Sequence, residues 1–290
     1  MTLLPREKYG AHHQAGIVIS TFQQNNPARA LKLIWPVLLR RLRESAQWCL
    51  SPLTLFTTRQ RLLRNFIASH LAIPAASRPQ ILGNYAAYTA MLTPESVVYS
   101  FGVGGDIRFD LALIESASCT VHLFDPTPRS ARFMTRFAND SRLQFHPWGV
   151  WTKDGPVRLF SDVTLMVDAS GTVFQDYRSG SITNITASDD WFEAECLTLP
   201  SITQKLGHRH IDLLKMDIEG AALEVIEHLW TTNLRPRQII VEFEAPPDLS
   251  PFLSRLEILL TRLKSDGYFL VPLDRGSLHT DSIELLAVRS

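Results

Sequence analysis

The chain has 290 residues, of which 45% are hydrophobic and 20% charged, a composition that predicts a sizeable folded core and excludes general disorder. Its 29 basic and 29 acidic residues leave no net charge, which argues against a protein devoted to nucleic acid. The charge is unevenly spread, because residues 1–80 hold 11 Lys or Arg but only 2 Asp or Glu, a balance of 11 minus 2, or about +9.

The cysteines and the hydropathy pattern indicate the cellular compartment in which the protein is expected. Cys49, Cys119 and Cys196 lie far apart and predict reduced thiols. No signal-peptide core and no apolar run of membrane-spanning length is visible, so we expect a cytoplasmic protein. No Cys and His spacing typical of zinc occurs, and no resident metal is expected.

Residues 1–80 are predicted to form a basic helical extension. Apolar residues recur at helical spacing over residues 28–48 and 52–71, flanked by arginines. Two roles stay open for this extension: a lid on the rest of the chain, or peripheral contact with an anionic membrane. A Pro- and Ser-containing stretch, 72–80, predicts the domain boundary, so residues 81–290 form the second domain. Residues 81–91 predict a short helix.

A glycine-rich turn at residues 97–110, VVYSFGVGGDIRFD, is the central motif. Its β-branched start predicts a buried parallel strand, and its end has the pattern of a helix. Between them, Gly102, Gly104 and Gly105 would let a ligand approach the backbone and the free N–H groups of the helix. Strand, glycine turn and helix together indicate a nucleotide-type binding unit.

The second strand, residues 120–124, ends in Asp125, which is well placed to accept hydrogen bonds from the hydroxyls of a ribose. The nicotinamide fingerprint requires a third glycine where Ile107 stands, so it fails. A ligand without a pyrophosphate, such as S-adenosylmethionine, tolerates a looser turn. A dehydrogenase or another nucleotide-dependent enzyme stays as the alternative, together with a non-catalytic binding module.

The third strand, residues 143–145, leads into His146, Trp148 and Gly149. An aromatic beside a glycine at a strand end can form the wall of an adenine pocket, although Trp148 would serve equally well in the core. Residues 152–200 then alternate in short stretches separated by Asp, Gly and Ser. They predict an antiparallel, β-rich insertion beside the binding face.

Acidic residues follow the next two strands, residues 210–217 and 238–243. Asp217 and Glu219 stand where a strand meets a helix, and Glu242 lies at the end of the following strand. The carboxyl ends of parallel strands form the usual ligand side of such a sheet. The alternative for the first two acids is a cap at the helix start. A helix at 251–266 and strands at 268–271 and 283–288 bring the main sheet to seven strands.

These motifs resemble FkbM-type S-adenosylmethionine-dependent methyltransferases over about residues 95–245. The most specific string is Lys-Met-Asp-Ile-Glu-Gly at 215–220, and the strings at 97–110, 121–126 and 239–242 agree with it. The resemblance implies a Rossmann-like class I methyltransferase fold, α/β with a seven-stranded, mostly parallel sheet. It also implies O-methylation of a sugar, glycan or natural-product hydroxyl. Residues 1–80 lie outside it.

The residues and the resemblance together give a set of candidate site residues. The cofactor-binding candidates are Phe101, Gly102, Gly104, Asp106, Asp125, Trp148, Gly149 and Asp217. The catalytic candidates are Glu242 and Asp217 as bases, His146 as a third choice, and Glu219 at the same edge. Asp217, Glu219 and Glu242 could instead gather a divalent cation. Ser100 replaces the acid that commonly ends the first strand in methyltransferases, which leaves the contact to the methionine amine unassigned unless Asp106 substitutes.

Overall fold

The computed structural model describes residues 58–71, 78–161, 163–167, 173–177, 180–182, 189–273 and 282–289. Contacts divide the chain into two compact units, Met1–Leu55 and Phe56–Ser290, and everything described belongs to the second. The predicted helix at 28–48 lies outside the described residues.

The elements follow one another in this order. Helix α1 (Thr58–His70) precedes strands β1 (Gln80–Leu82) and β2 (Tyr85–Ala87). Next come β3 (Val98–Phe101), α2 (Arg108–Ala117), β4 (Val121–Phe124), α3 (Pro128–Met134) and β5 (Leu143–His146). Short strands follow: β6 (Gly149–Val150), β7 (Gly155–Phe160), β8 (Val163–Val167), β9 (Val173–Tyr177) and β10 (Trp191–Leu197). The last elements are α4 (Leu199–Leu206), β11 (Leu213–Met216), α5 (Ala222–Leu229), β12 (Gln238–Glu244), α6 (Leu249–Ser265), β13 (Tyr268–Pro272) and β14 (Ser282–Arg289).

The main sheet has seven strands in the order β5–β4–β3–β11–β12–β14–β13. The first five run parallel, and β14 is antiparallel to both of its neighbours. The predicted seven-stranded, mostly parallel sheet is therefore confirmed. The strand order reverses between β3 and β11, and at such a switch point a crevice opens outside the carboxyl ends of the strands. The fold thus places the glycine turn after β3 beside the acids after β11.

The core lies on both faces of this sheet. Tyr99 and Phe101 belong to the cluster on one face, and Val98 and Leu213 to the cluster on the other. Because β3 and β11 are covered on both sides, all four residues of each strand are buried, which explains their continuous apolar sequence. Lys215 and Ser100 are the polar exceptions, and their burial marks the part of the sheet next to the crevice.

Helix α1 packs against α6 and β14, within the same unit as the sheet. Leu63 and Leu71 are buried in the core, and the guanidinium of Arg59 donates hydrogen bonds to the carbonyls of Ala245 and Pro246. Burial of these leucines ties the helix to the sheet domain. The compact unit consequently begins upstream of the predicted boundary at residue 80.

The helix predicted at 81–91 is wrong, because these residues form an antiparallel hairpin, β1–β2, and a 3-10 turn at Thr89–Met91. The two-residue turn holds Gly83 and Asn84, and Gly83 has a φ of +57°. A Gly-Asn pair favours this tight hairpin, which also brings Tyr85 towards the crevice.

The described parts of the predicted insertion contain paired β-strands. Strand β10 pairs antiparallel with β7 and parallel with β6, and β8 pairs antiparallel with β9. Gly180 and Ile182 reach the crevice from this insertion. The insertion therefore contributes to the wall of the site as well as to the surface.

Candidate functional site

A pocket of about 280 Å³ occupies the crevice at the switch point of the sheet. Its wall is formed by the turn after β3, the end of β4, the turn after β11 and the insertion. Seven of the eight predicted cofactor-binding residues line it, namely Phe101, Gly102, Gly104, Asp106, Asp125, Gly149 and Asp217. The structure thus gathers into one pocket residues that are more than 100 positions apart in the sequence.

Gly102 brings the glycine turn into contact with the turn after β11. Its φ is +83°, and a Cβ atom built on it would lie 1.7 Å from the carbonyl oxygen of Asp217. The Gly102 N–H donates to Phe124 O at 3.0 Å, which ties the turn to the end of β4. Only glycine fits a backbone this close to another backbone.

Asp125 holds the glycine turn in shape. Its Oδ2 accepts from the backbone N–H groups of Val103 and Gly104, both at 3.0 Å, and its Oδ1 accepts from the N–H and hydroxyl of Thr127. The residue is 6% exposed and lines the pocket. The predicted contact with a ribose stays a prediction, while the contacts within the chain show a carboxylate that organises the turn.

Two residues that position the site were not foreseen from the sequence, Tyr85 and Lys215. The Tyr85 hydroxyl donates to Asp217 Oδ2 at 2.5 Å, and the Lys215 ammonium donates to the carbonyls of Phe101 and Gly102 at 3.3 and 3.0 Å. The ammonium also lies 5.0 Å from the centre of the Tyr85 ring. Tyr85 therefore fixes the Asp217 carboxylate, whereas Lys215 holds the start of the glycine turn. The Gly-Asn hairpin signal could have located Tyr85.

The acids after β11 and β12 form the other edge of the site. Glu219 lines the pocket and has the unusual φ of +45°. Burial, together with the negative charges of Asp217 and Glu242, raises its pKa. The Ser181 hydroxyl donates to the Glu219 carbonyl at 2.6 Å and holds the turn from the insertion side. Glu242 itself does not line the pocket but lies near enough to Glu219 to influence its charge.

Glu244 adds a second acid with a perturbed pKa to this edge. Its Oε2 accepts from the Gly220 N–H at 2.7 Å, and burial raises its pKa to about 8. Within the described part of the chain, no group of three or more His, Cys, Asp or Glu side chains has the arrangement of a metal site. The proposal of a divalent cation among these acids thus gains no support from the geometry of the described residues.

Replacing Glu244 by glutamine is expected to stabilise the protein at alkaline pH. An unfolded glutamate ionises near pH 4.5, so the folded chain holds an extra proton between about pH 4.5 and 8, and stability falls as the pH rises through that window. Glutamine keeps an acceptor for Gly220 without this titration. Urea unfolding at pH 5 and pH 9 should show the variant more stable at pH 9, on the order of a few kcal/mol. The control is Glu193→Gln, at an exposed glutamate, whose free energy of unfolding should fall between pH 5 and pH 9 as much as that of the wild type. An equal fall in Glu244→Gln would contradict the assignment of the titration to Glu244.

His146 and Trp148, predicted as a base and an adenine wall, do not belong to the pocket lining. The His146 ring stacks between Phe124 and Trp148, with ring centres 4.8 and 5.0 Å apart, and its Nε2 lies 3.1 Å from Nδ1 of His122. Burial and the neighbouring His208 lower the pKa of His146. Aromatic packing therefore accounts for their position, as the core alternative for Trp148 anticipated.

Gly149 lines the pocket at the point where β6 pairs with β10. A Cβ atom on Gly149 would lie 2.6 Å from the sulfur of Cys196, a buried thiol whose pKa burial raises to about 12. We expect Gly149→Ala to lose about 1–3 kcal/mol of stability through overpacking. The double variant Gly149→Ala/Cys196→Ala should lose less stability in urea unfolding than the sum of the two single losses, since removing the sulfur clears the space for the new methyl group. Strictly additive losses would show that the clash is not the cause.

None of the described helices has both the length and the hydrophobicity needed to cross a membrane. Most of the predicted extension, residues 1–57, lies outside the described residues, so its membrane role stays a prediction.

The fold and the pocket define a Rossmann-like α/β enzyme whose site, at the switch point of a parallel sheet, is suited to a nucleoside-containing ligand. A family model described as the methyltransferase FkbM domain matches residues 103–270, more than half of the chain. The chain therefore belongs to the FkbM methyltransferase family, which confirms the resemblance and makes it a methyltransferase. Members of such a family use S-adenosylmethionine as the methyl donor.

Comparison with known proteins adds two distant structural neighbours. A fibrillarin pre-rRNA processing protein of Methanococcus jannaschii aligns with a TM-score of 0.39 and 11% identity, over 68% of this chain and 67% of that one. A protein described as a putative caffeoyl-CoA O-methyltransferase of Staphylococcus aureus aligns with a TM-score of 0.35 and 8% identity, over 90% of this chain and 99% of that one. No curated protein matches the sequence.

Proposed function

We propose that the protein transfers a methyl group from S-adenosylmethionine to a hydroxyl of a sugar, a glycan or a natural product. The observation that carries this proposal is the position of Glu219, an acid with a raised pKa that opens on the same pocket as the glycine turn. A cofactor site and a proton acceptor thus share one cavity, as methyl transfer to a hydroxyl requires.

The charge of the pocket fits this methyl donor. Carboxyl groups dominate its polar wall, and S-adenosylmethionine carries a net positive charge, because its sulfonium and ammonium groups outweigh its one carboxylate. The acids that line the pocket are Asp106, Asp110, Asp125, Asp217 and Glu219. The alternative, a dinucleotide in a dehydrogenase, would bring an anionic pyrophosphate into this acidic wall, which is unfavourable. Charge therefore supports the methyl donor over its rival.

The residues that would hold the donor are the seven predicted ones that line the pocket, from Phe101 to Asp217. When bound, S-adenosylmethionine supplies an already activated methyl group on sulfur. The chain has to align the acceptor oxygen with that carbon and sulfur, and alignment supplies up to about 7–11 kcal/mol in well-oriented models. The turn fixed by Gly102 and the side chain fixed by Tyr85 provide the rigid frame for this alignment.

Glu219 acts as the proton acceptor in this proposal. The Glu219 carboxylate would accept the proton of the acceptor hydroxyl as an O–CH₃ bond replaces the S–CH₃ bond of the donor, which would supply the methyl group. Its raised pKa keeps Glu219 more basic than an ordinary glutamate.

The test is a transfer assay with methyl-labelled S-adenosylmethionine and a panel of sugars, glycans and hydroxylated natural products. The expected product carries the label as an ether, which withstands mild alkali. Label that alkali releases as methanol would indicate a carboxyl acceptor, and label on nitrogen would likewise contradict O-methylation.

Peripheral membrane contact through residues 1–57 is a separate proposal, and failure of the full chain to sediment with anionic vesicles would reject it.

A further inference from the structure

Asp110 is a buried acid to which sequence reasoning assigned no role. It lies in the first turn of α2, is 3% exposed and lines the pocket. Among the described residues its Oδ1 has no hydrogen-bond partner. A buried carboxylate oxygen without a donor is costly, and a residue in that state on a pocket wall is where a ligand donor would be expected.

The surroundings of Asp110 supply charge but leave that oxygen unused. Burial raises the pKa of Asp110, and the positive charge of Lys215 and the nearby Ser100 hydroxyl oppose this rise. The Lys215 ammonium, itself 4% exposed, donates to the carbonyls of Phe101 and Gly102. Ser100 pairs in register with Lys215 on the neighbouring strand and is neutral. Its hydroxyl lies in no hydrogen-bonding geometry with any of the described residues.

Asp106, the acid suggested by the sequence for the amine of the cofactor, is in a different state. Its two oxygens accept from the guanidinium of Arg108, at 2.6 to 3.0 Å, and from the amide of Asn84, at 3.1 Å. It is exposed at the pocket rim. An amine would have to compete with an arginine at Asp106, whereas it would meet an unused acceptor oxygen at Asp110.

We propose that Asp110 binds the α-ammonium group of the methionine part of the methyl donor. This inference rests on the proposed function and names the residue that recognises one end of the cofactor. The methionine end is a zwitterion, and Asp110 with Lys215 places a carboxyl group and an ammonium group on the wall. The α-ammonium would supply the missing donor to Oδ1, and charge-assisted bonds of this kind are the strong ones.

Calorimetric titration with two ligands tests this assignment. S-Adenosylhomocysteine keeps the amino-acid end, whereas 5′-deoxy-5′-methylthioadenosine lacks it. In Asp110→Asn we expect the affinity for S-adenosylhomocysteine to fall about 10- to 100-fold. The affinity for 5′-deoxy-5′-methylthioadenosine should change less than about twofold. Asp140→Asn, at a surface acid paired with Arg142, is the control and should change neither.

Three results would overturn the inference. The first is an equal loss of affinity for both ligands in Asp110→Asn, which indicates a structural role. The second is an unchanged affinity for S-adenosylhomocysteine in Asp110→Asn. The third is a selective loss of affinity for S-adenosylhomocysteine in Asp106→Asn instead. If Asp110→Asn does not fold, Asp110→Asn/Lys215→Met is compared with Lys215→Met alone, and the further change in the ratio of the two affinities gives the contribution of Asp110. A wild-type protein that binds neither ligand would reject the proposed function itself, which separates the two failures.

Discussion

Glu219→Gln is expected to lower turnover about 10²- to 10⁴-fold, because it removes the proposed proton acceptor. Affinity for S-adenosylhomocysteine should stay within about threefold, since this product does not contain the acceptor hydroxyl whose proton Glu219 receives. Because burial and the charges of Asp217 and Glu242 raise the pKa of Glu219, wild-type activity should rise with pH through a value above that of an ordinary glutamate. Initial rates across pH, with product affinity from calorimetry, measure both effects.

Glu242→Gln provides the matched comparison for this prediction. Glu242 was the first candidate base from the sequence, and it influences Glu219 by charge without lining the pocket. We expect a smaller loss of turnover in this variant, together with a pH profile shifted downwards, because one of the charges that raise the Glu219 pKa is gone. A large loss in Glu242→Gln with nearly normal activity in Glu219→Gln would move the proton acceptor to β12.

Gly102→Ala is expected to abolish cofactor binding and to destabilise the fold by more than about 3 kcal/mol. The new methyl group would lie 1.7 Å from the Asp217 carbonyl oxygen, and the φ of +83° is unfavourable for any L-residue. Two backbones must separate to relieve the contact, which would pull the glycine turn away from the acids of the site.

Gly104→Ala isolates the effect of that contact. Gly104 also has a positive φ, of +55°, but no atom of the described residues lies within 4 Å of the position that a Cβ atom would take there. The variant should therefore show only the cost of the left-handed conformation, about 1–2 kcal/mol. Thermal unfolding of both variants gives the comparison. Equal behaviour of the two would show that the approach of Gly102 to Asp217 does not matter.

The main sheet was predictable from the sequence because strands buried on both faces have continuous apolar runs bounded by glycine and acidic residues. Val97–Val98–Tyr99 and Leu213–Leu214 show this pattern, and both segments enter the central strands. The hairpin at Tyr85 was missed because its short apolar stretch is also compatible with a helix, and the Gly-Asn turn was the better signal. Tertiary packing there decided between two local patterns of similar strength.

The candidate site was only partly predictable. Residues at strand ends, such as Asp125 and Asp217, could be placed because parallel strands end at one edge. Contacts across long separations could not, since Tyr85 meets Asp217 over 132 positions. Nor does the sequence distinguish Asp110, buried and short of a donor, from Asp106, which is exposed and saturated. Those states depend on the neighbours that folding supplies.

The central claim is that the pocket after β3 and β11 binds S-adenosylmethionine, and calorimetric titration of the full chain with S-adenosylmethionine and S-adenosylhomocysteine tests it most directly. The account predicts saturable binding of both ligands at a single site with micromolar affinity, and loss of that binding in Gly102→Ala. Absence of binding by either ligand to the folded wild-type protein would contradict it.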